Sequence, residues 1–402
     1  MILKQDGSVW SCGHNGHGQL GNGWSADTSS FVWPFVKDAI AVAAGNEHSL
    51  VLKRDGSVWV AGKNTFGQLG DGSRIDNRKF VKVISGGVYA VAAGLHYSIV
   101  LNQAGSVLAT GLNNHGQLGD GTMDSTTRFV QAVCTGVKAV AAGGYHSMIL
   151  VQDGSVWSTG SNSFGQLGIG LTAVGDRFTF DQAYKSGVKI VAAGAFHSML
   201  VRQDGSVWAT GRNLHGQLGD GSNMGKSTFT LVITGGARTV ATGHSYSMML
   251  KEDGSVWGTG SNVHGQLGDG STTDRNSFVK VMLGGVKAVA AGFGHTMVLT
   301  QDESVWATGW NLNGQFGDGT WTSKSSFYRV TDILDSAILQ TQNRLSSGST
   351  VTRPSMTGDK CVIVCLTLSP CLGFGGILYD YFCGSSLRPW FISIPSIEYF
   401  IS

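Results

Sequence analysis

The hydrophobic positions of the chain follow a unit of about 49 residues that recurs seven times. In one unit, turn residues separate four apolar runs, at residues 41–45, 49–52, 57–61 and 80–83. Short apolar runs bounded by glycine predict β-strands, and the Asp55-Gly56 pair between two of the runs predicts a tight hairpin. Each unit is therefore predicted to form a four-stranded antiparallel blade.

The third run of each unit indicates how the blades are arranged. Val58 and Trp59 are adjacent, so their side chains leave opposite faces of the strand, and both are large and apolar. Each blade must then be covered on both faces, which a closed ring of radially packed blades achieves. The sequence predicts an all-β fold, a seven-bladed β-propeller with the small-residue run nearest the axis. We expect a structural role between blades for the recurrent tryptophans Trp10, Trp59, Trp157, Trp208, Trp257 and Trp306.

The count of runs predicts how the ring closes. The hairpin and the loop after it occur seven times, but the small-residue run occurs six times, starting at residues 41, 90, 139, 190, 239 and 288. The first blade lacks this run on its N-terminal side. We therefore expect a C-terminal strand to pair beside residues 1–3, and residues 336–339 lie in the expected register.

The C-terminal part of the chain does not continue the repeat. We predict a propeller over residues 1–341, a Ser/Thr-rich linker over 342–360 and an apolar tail of uncertain structure over 361–402. Residues 361–379 carry no charge and have about the length that spans a bilayer, although Pro370 and the glycines at 373, 375 and 376 weaken a helix. A folded segment, a membrane anchor and a gene-model artefact stay open as alternatives.

Charge and composition exclude several classes of partner. The net charge is +2, and Lys and Arg are scattered without a basic run. This pattern lacks the electrostatic footprint of a nucleic-acid-binding or membrane-binding protein. No cleavable signal peptide is recognisable, so a cytoplasmic or nuclear location is expected, although a start inside a strand also fits a truncated N-terminus.

Two sets of histidines recur, and both are interpreted as structural. His48, His146, His197 and His295 share one repeat position, which Tyr97 and Tyr246 occupy in other units. Blade symmetry spreads such residues around a ring, whereas a metal ion needs them to converge, so we expect hydrogen bonds to neighbouring backbone. A second set (His17, His115, His215 and His264) alternates with Phe66, Phe164 and Asn313 and is expected to pack loops. We predict no catalytic residue, metal site or cofactor.

These motifs resemble the repeats of the regulator of chromosome condensation family. The resemblance is carried by Gly-Lys-Asn-Thr-Phe-Gly-Gln-Leu-Gly at residues 62–70 and Ala-Ala-Gly-Gly-Tyr-His-Ser at 141–147, with the Asp-Gly-Ser-Val-Trp hairpin. It covers about four-fifths of the chain and implies a seven-bladed propeller. Members of the family include a nuclear GTPase exchange factor, a plant ultraviolet receptor, ubiquitin-ligase accessory domains and bacterial enzyme inhibitors.

The sequence departs from those members outside the shared repeat. No unit carries an insertion longer than the two residues near 171–175, and the Gly-Trp-Arg-His-Thr repeats of the plant receptor are absent. We therefore predict a monomeric, non-catalytic propeller that binds a protein partner. Guanine-nucleotide exchange on a small GTPase, and binding or inhibition outside the cell, are the alternatives.

The segment after each Gly-Asp-Gly differs from unit to unit, and loops on a rigid scaffold commonly carry binding. Neutral drift in solvent-facing loops explains the variation equally well. Candidate partner-binding residues in these loops are Trp24, Arg74, Arg128, Arg177, Lys226, Arg275 and Trp321.

Overall fold

A computed structural model describes residues 1–34, 36–133, 135–170, 175–330 and 361–363. These residues form strands and turns, with no helix among them, in seven four-stranded antiparallel sheets. The all-β, seven-bladed propeller predicted from the sequence is confirmed. Blade 1 contains β1 (Ile2–Lys4), β2 (Val9–Gly13) and β3 (Thr28–Val32).

Blades 2 to 7 each consist of four consecutive strands, ordered from the axis outwards. Blade 2 is β4 (Ala39–Ala44), β5 (His48–Lys53), β6 (Val58–Gly62) and β7 (Asn77–Ile84). Blade 3 is β8 (Val88–Ala93), β9 (Tyr97–Asn102), β10 (Val107–Gly111) and β11 (Thr126–Val133). Blade 4 is β12 (Val137–Ala142), β13 (His146–Val151), β14 (Val156–Gly160) and β15 (Arg177–Tyr184).

The second half of the ring repeats this order. Blade 5 is β16 (Val188–Ala193), β17 (His197–Arg202), β18 (Val207–Gly211) and β19 (Lys226–Ile233). Blade 6 is β20 (Ala237–Thr242), β21 (Tyr246–Lys251), β22 (Val256–Gly260) and β23 (Arg275–Met282). Blade 7 is β24 (Val286–Ala291), β25 (His295–Thr300), β26 (Val305–Gly309) and β27 (Lys324–Arg329).

Blade 1 is completed from the far end of the chain. Strand β28 (Cys361–Ile363) pairs antiparallel with β1, with Leu3 opposite Val362. The closing strand was predicted at residues 336–339, which lie outside the described residues, and the position beside β1 is occupied by β28 instead. Both stretches are short and apolar, so the sequence pattern does not distinguish them. The predicted boundaries at residues 341 and 360 fall outside the described residues and stay predictions.

The Asp-Gly-Ser-Val-Trp motif, present in five blades and varied in blades 3 and 7, builds a hydrogen-bonded hairpin at one end of the blade. In blade 2, Asp55 Oδ1 accepts bonds from the backbone N–H of Ser57 at 2.9 Å and from its hydroxyl at 2.6 Å. The indole N–H of Trp59 donates to the same hydroxyl at 3.1 Å. Gly56 has φ +76°, and a Cβ there would lie 2.6 Å from the backbone nitrogen of Gly87. The motif therefore satisfies the polar atoms of the turn and lets it pack against the next connection.

The apolar side chains pack between adjacent blades. Trp59 of blade 2 is partly buried in a cluster with Met1, Leu3 and Val9 of blade 1. Trp257 of blade 6 lies in a cluster formed mainly by strands of blade 5. The other members of the tryptophan set also lie partly buried in such clusters, at Trp10, Trp157, Trp208 and Trp306. Their structural role remains our proposal, and these contacts support it.

Candidate functional site

The two ends of the blades form two different faces of the ring. One end carries the Asp-Gly hairpins and is called the hairpin face. The other, the loop face, carries the inner turns and the Gly-x-Asn-x-x-Gly-Gln-Leu-Gly-Asp-Gly loops. The inner turns are residues 45–47, 94–96, 143–145, 194–196, 243–245 and 292–294.

The polar residues of the Gly-x-Asn loop hold its backbone. Asn64 Oδ1 accepts a bond from the N–H of Leu69 at 3.0 Å, and its amide donates to Asp71 Oδ1 at 3.0 Å. Gln68 Oε1 accepts from the N–H of Phe66 at 2.9 Å, and Asp71 Oδ1 accepts from the N–H of Ser73 at 2.8 Å. Asp71 is thus part of the turn itself. Among the described residues, no three His, Cys, Asp or Glu side chains form a group that could hold a metal ion.

The first histidine set, the inner histidines (His48, His146, His197 and His295), is fully or almost fully buried. His48 Nε2 lies 3.0 Å from Ser98 Oγ of the next blade, and Ser98 donates its own proton to the carbonyl of Gln68 at 2.7 Å. His146 makes the same contact with Ser198 at 2.8 Å. We expected neighbouring backbone as the partner, whereas the structure adds a hydroxyl from the adjacent blade. The reason is that the ring brings equivalent strands side by side.

Burial determines the protonation of the inner histidines. Burial lowers the pKa of His146 to about 3. Burial, followed in importance by the nearby His96, lowers the pKa of His48 to about 3 as well. Because the serine hydroxyl already donates to a carbonyl, it accepts from Nε2–H, which fixes a neutral tautomer. His48, His146 and His197 therefore link blades without charge, and the buried set offers no exposed acid or base.

The second set, the outer histidines (His17, His115, His215 and His264), lies in the loops and meets the following blade. Three of its members contact a carboxylate across the blade boundary: His17 Nδ1 to Asp76 at 2.7 Å, His115 to Asp176 at 2.6 Å and His215 to Asp274 at 2.8 Å. Asn313 reaches Asp27 in the same way at 3.0 Å. For His264, the following blade has Ser323 at the position of these carboxylates. His264 instead stacks on Trp310, with ring centroids 4.8 Å apart. The expected loop-packing residues are thus also inter-blade polar contacts.

The inner turns of blades 3 to 7 carry aromatic side chains, which we call the axial ring: His96, Tyr145, Phe196, His244 and Phe293. The ring centroids of His244 and Phe293 are 4.6 Å apart, and those of Phe196 and His244 are 6.1 Å apart. Tyr145 and Phe196 pack on the buried Leu95 and Ala195. Burial, followed in importance by the charge of Arg212, lowers the pKa of His244 to about 4. His244 is therefore neutral near pH 7 and adds no charge to the axial ring.

Large apolar side chains are exposed on the loop face outside this ring. Trp24, Ile75 and Met123 lie in the loops of blades 1 to 3, and blades 5 to 7 share a further exposed apolar position. The residue after the loop asparagine is Leu214, Val263 and Leu312 in blades 5 to 7, with 60%, 59% and 63% of its surface exposed. At the same position, blades 2 to 4 carry Thr65, Asn114 and Ser163. Met224 and Trp321 are exposed in the same loops, and the Met224 carbonyl accepts from Asn213 beside Leu214 at 3.2 Å. We call Leu214, Met224, Val263, Leu312 and Trp321 the apolar sector.

The loop residues predicted to bind a partner differ in their availability. Trp24 is 73% exposed on blade 1, and Trp321 belongs to the apolar sector. Three cations form ion pairs within their own loops or strands: Arg177 with Asp181, Lys226 with Asp220 and Arg275 with Asp269. Arg128 is exposed, and Arg74 donates to the carbonyl of Thr65 at 3.3 Å. The seven residues lie on separate blades, so the structure does not bring them together.

The sequence interpretation missed the axial ring and, apart from Trp321, the apolar sector. Both use positions that vary between units, so neither forms a motif. An alignment of the units with one another would have revealed the apolar sector, because a large apolar residue follows the loop asparagine in three consecutive units.

Comparisons with known proteins agree with this fold. A model of the RCC1-like domain matches residues 1–233, and models of the regulator of chromosome condensation (RCC1) repeat match residues 237–266, 286–315 and 253–299. No curated protein matches the chain significantly in sequence. The structure described contains no helix long and apolar enough to cross a membrane.

Solved propellers resemble the chain over most of its length. Human WBSCR16 is 22% identical with a TM-score of 0.71, covering 81% of this chain and 93% of its own. Yeast RCC1 (Prp20), in a structure with Kap60 bound, is 19% identical with a TM-score of 0.72, covering 83% and 86%. Prp20p from Saccharomyces cerevisiae, characterised for binding to Gsp1p and histones, is 21% identical with a TM-score of 0.71, covering 83% and 88%. Such identities show the shared fold, and the matched repeats show that the chain belongs to the regulator of chromosome condensation (RCC1) repeat family.

Proposed function

We propose that the propeller is a non-catalytic protein-interaction module that docks its partner on the loop face. The observation that carries the proposal is the apolar sector. Exposed apolar side chains in adjacent loops of a rigid scaffold are typical of a protein-binding surface. The inner histidines and the tryptophans serve the scaffold in this proposal, and the loops serve recognition.

The position of the apolar sector supports a docking role. Leu214, Val263 and Leu312 stand at one repeat position in three consecutive blades, so they follow an arc around the axial ring. Two polar side chains beside them already have carboxylate partners, His215 with Asp274 at 2.8 Å and Lys226 with Asp220 at 3.4 Å. Such a surface favours a partner that contributes apolar side chains. We retain the predictions of a monomer and of a cytoplasmic or nuclear location.

A comparison of two triple variants tests the proposal. The full chain is used to capture partners from cell extract, a captured protein is then purified, and its affinity for each variant is measured. The variant Leu214→Ser/Val263→Ser/Leu312→Ser should weaken binding at least about tenfold, since hot spots of 1.4 kcal/mol or more are expected among such residues. The control Thr65→Ala/Asn114→Ala/Ser163→Ala changes the same position in blades 2 to 4 and should bind normally.

Both variants should keep the melting temperature, because exposed substitutions usually change stability by less than about 0.5 kcal/mol. Normal binding by the first variant, or loss in the control alone, would remove the apolar sector as the docking surface. If the captured protein is a small GTPase, release of a fluorescent GDP analogue separates binding from exchange. We expect no acceleration approaching about 100-fold, which corresponds to about 2.7 kcal/mol of barrier.

A further inference from the structure

We propose that Arg212, on the loop face of blade 5, receives a carboxylate group of the docked protein partner. The inference rests on the proposed function, because it defines one chemical feature of that partner. It assigns Arg212 as a binding residue that sequence motifs do not mark, since its repeat position holds His14, Lys63, Leu112, Ser161, Arg212, Ser261 and Trp310 in the seven units.

The repeat places this position beside the inner turn of the same blade. The backbone N–H of Arg212 donates to the carbonyl of Phe196 at 2.8 Å. In blade 2, the N–H of Lys63 donates to the carbonyl of Glu47 at the same distance, 2.8 Å. The two side chains at these positions are therefore neighbours in both blades, and the blades can be compared residue by residue.

Blade 2 closes this neighbour pair internally. Lys63 Nζ lies 2.6 Å from Glu47 Oε2, and both side chains are largely buried. A cation and a carboxylate at this spacing form a charge-assisted hydrogen bond. The position of the cation on the loop face is thus one that accommodates a carboxylate in contact with it.

Blade 5 has the cation without the carboxylate. Phe196 takes the place of Glu47, and the guanidinium carbon of Arg212 lies 5.5 Å from the ring centroid of Phe196 and 5.2 Å from that of Phe164. These aromatic rings hold the guanidinium in place but do not neutralise it. Arg212 Nε is buried and has no hydrogen-bond partner, and none of the ion pairs within the described residues involves Arg212.

An arginine held in this way is suited to recognise a carboxylate. The planar guanidinium presents parallel N–H donors that match the two oxygens of a carboxylate, and stacking on aromatic rings reduces the side-chain motion lost on binding. Leu214 of the apolar sector follows two residues after Arg212. The partner segment is therefore expected to carry Asp, Glu or a terminal carboxylate beside apolar side chains.

The test follows the Arg212 Nε–H signal by NMR in the full chain labelled with 15N-arginine. The signal is assigned as the one missing from Arg212→Lys. The probe is N-acetyl-leucine, an apolar carboxylate, and the matched control is N-acetyl-leucinamide, which lacks the charge. We expect a saturable shift of the Arg212 Nε–H signal with the acid and at least about tenfold weaker binding of the amide, the ratio typical of hydrogen bonds to charged groups. The Arg74 Nε–H signal should not move.

Two variants decide between outcomes. Phe196→Glu supplies the carboxylate that Glu47 provides in blade 2, so the Arg212 signal should already be displaced and should not respond to the probe. Arg212→Gln removes the charge at nearly equal size and should weaken the partner at least about tenfold. Equal response to acid and amide, or unchanged partner affinity in Arg212→Gln, would overturn the proposal.

The same measurements separate this inference from the docking proposal. The variant Leu214→Ser/Val263→Ser/Leu312→Ser keeps Arg212, so its Nε–H signal should still respond to N-acetyl-leucine even though the partner is lost. A response in that variant together with undiminished partner binding would contradict docking on the apolar sector and leave the carboxylate site intact. A missing response in the wild-type chain contradicts the carboxylate site alone.

Discussion

The inner and outer histidines join the same blades under opposite conditions. Inner His146 is buried, neutral and bound to the hydroxyl of Ser198, at 2.8 Å. Outer His215 is about one-third exposed and lies 2.8 Å from the carboxylate of Asp274. One residue type therefore makes an uncharged contact near the axis and a contact with a carboxylate near the rim. The environment, rather than the residue, determines what each contact contributes.

The difference also explains which positions vary. An inner position admits His or Tyr, because Tyr97 reaches the carbonyl of His146 with its hydroxyl at 2.5 Å. The outer position is occupied by His or Asn in units where the next blade has Asp at the contact position. It is Phe66 where the next blade has Ser125, and Phe164 where the next blade has Gly225. Buried polar groups require a partner, whereas a solvated loop position accepts apolar contacts as well.

Acidification should affect the inner histidines most, and it is the largest effect we expect. An unfolded histidine has a pKa near 6.5, whereas burial lowers the pKa of His48, His146, His197 and His295 to about 3. Below pH 6.5 the unfolded chain binds protons that the folded chain does not, so stability falls as the pH falls. Between pH 6.5 and 5.5 the loss is roughly 1 kcal/mol per histidine, about 4 kcal/mol for these four. His96 and His244, whose pKa burial lowers to about 4, add roughly 1 kcal/mol each.

Urea unfolding at pH 7.5, 6.5 and 5.5 measures this loss. The turn aspartates, such as Asp153, have a pKa lowered by hydrogen bonds from Ser155, so they lose their contribution at lower pH, outside this window. His146→Gln should reduce the pH slope by about one proton. A stability that stays constant from pH 7.5 to 5.5 would show that the inner histidines are protonated in the folded ring.

Removing one hydroxyl should produce an intermediate effect on the inner contacts. Tyr97→Phe deletes the donor to the His146 carbonyl and the contact of that hydroxyl with Ser147 Oγ, 3.2 Å away. Loss of a buried hydrogen-bonded group costs about 1–3 kcal/mol, which denaturant titration resolves. Tyr184→Phe is the control, because the Tyr184 hydroxyl has no hydrogen bond to a described residue. Equal costs for both variants would mean that the ring, not the hydroxyl, carries the contribution of Tyr97.

The outer contacts should give the smallest effect. A double-mutant cycle with His215→Ala and Asp274→Ala isolates their pairwise term, although Asp274 also accepts the backbone N–H of Asn262 at 2.7 Å. Exposed pairs of this kind usually couple by about 0.2–1 kcal/mol. The matching cycle at His264 and Ser323 should show no coupling. A coupling energy of several kcal/mol between His215 and Asp274 would mean that the outer contacts contribute as much to stability as the inner ones.

The fold could be predicted because its determinants are local and repeated. Asp55-Gly56 fixes the hairpin, and the adjacent Val58 and Trp59 require cover on both faces of the blade. The closing strand could not be assigned, since Cys361–Ile363 and residues 336–339 are both short apolar stretches and only pairing with Leu3 distinguishes them.

The candidate site was predicted less completely. The variable loops were identified, but the Arg212 environment depends on Phe164 of one blade and Phe196 of the next, which a linear pattern does not join. The outer contacts could have been found in the sequence. His17, His115 and His215 each precede a unit that carries Asp at one loop position, whereas Phe66 and Phe164 precede units that do not.

The pairing of β1 with β28 has a consequence for synthesis of the chain. Leu3 and Val362 are more than 350 residues apart, yet they are opposite each other in one sheet. Ribosomes add about 5–20 residues per second, so the first strand is made roughly 20–70 s before its partner emerges. During that time the edge of blade 1 has unpaired backbone groups, which other nascent chains could engage. A newly made ring of this kind therefore needs protection at its first blade until β28 arrives.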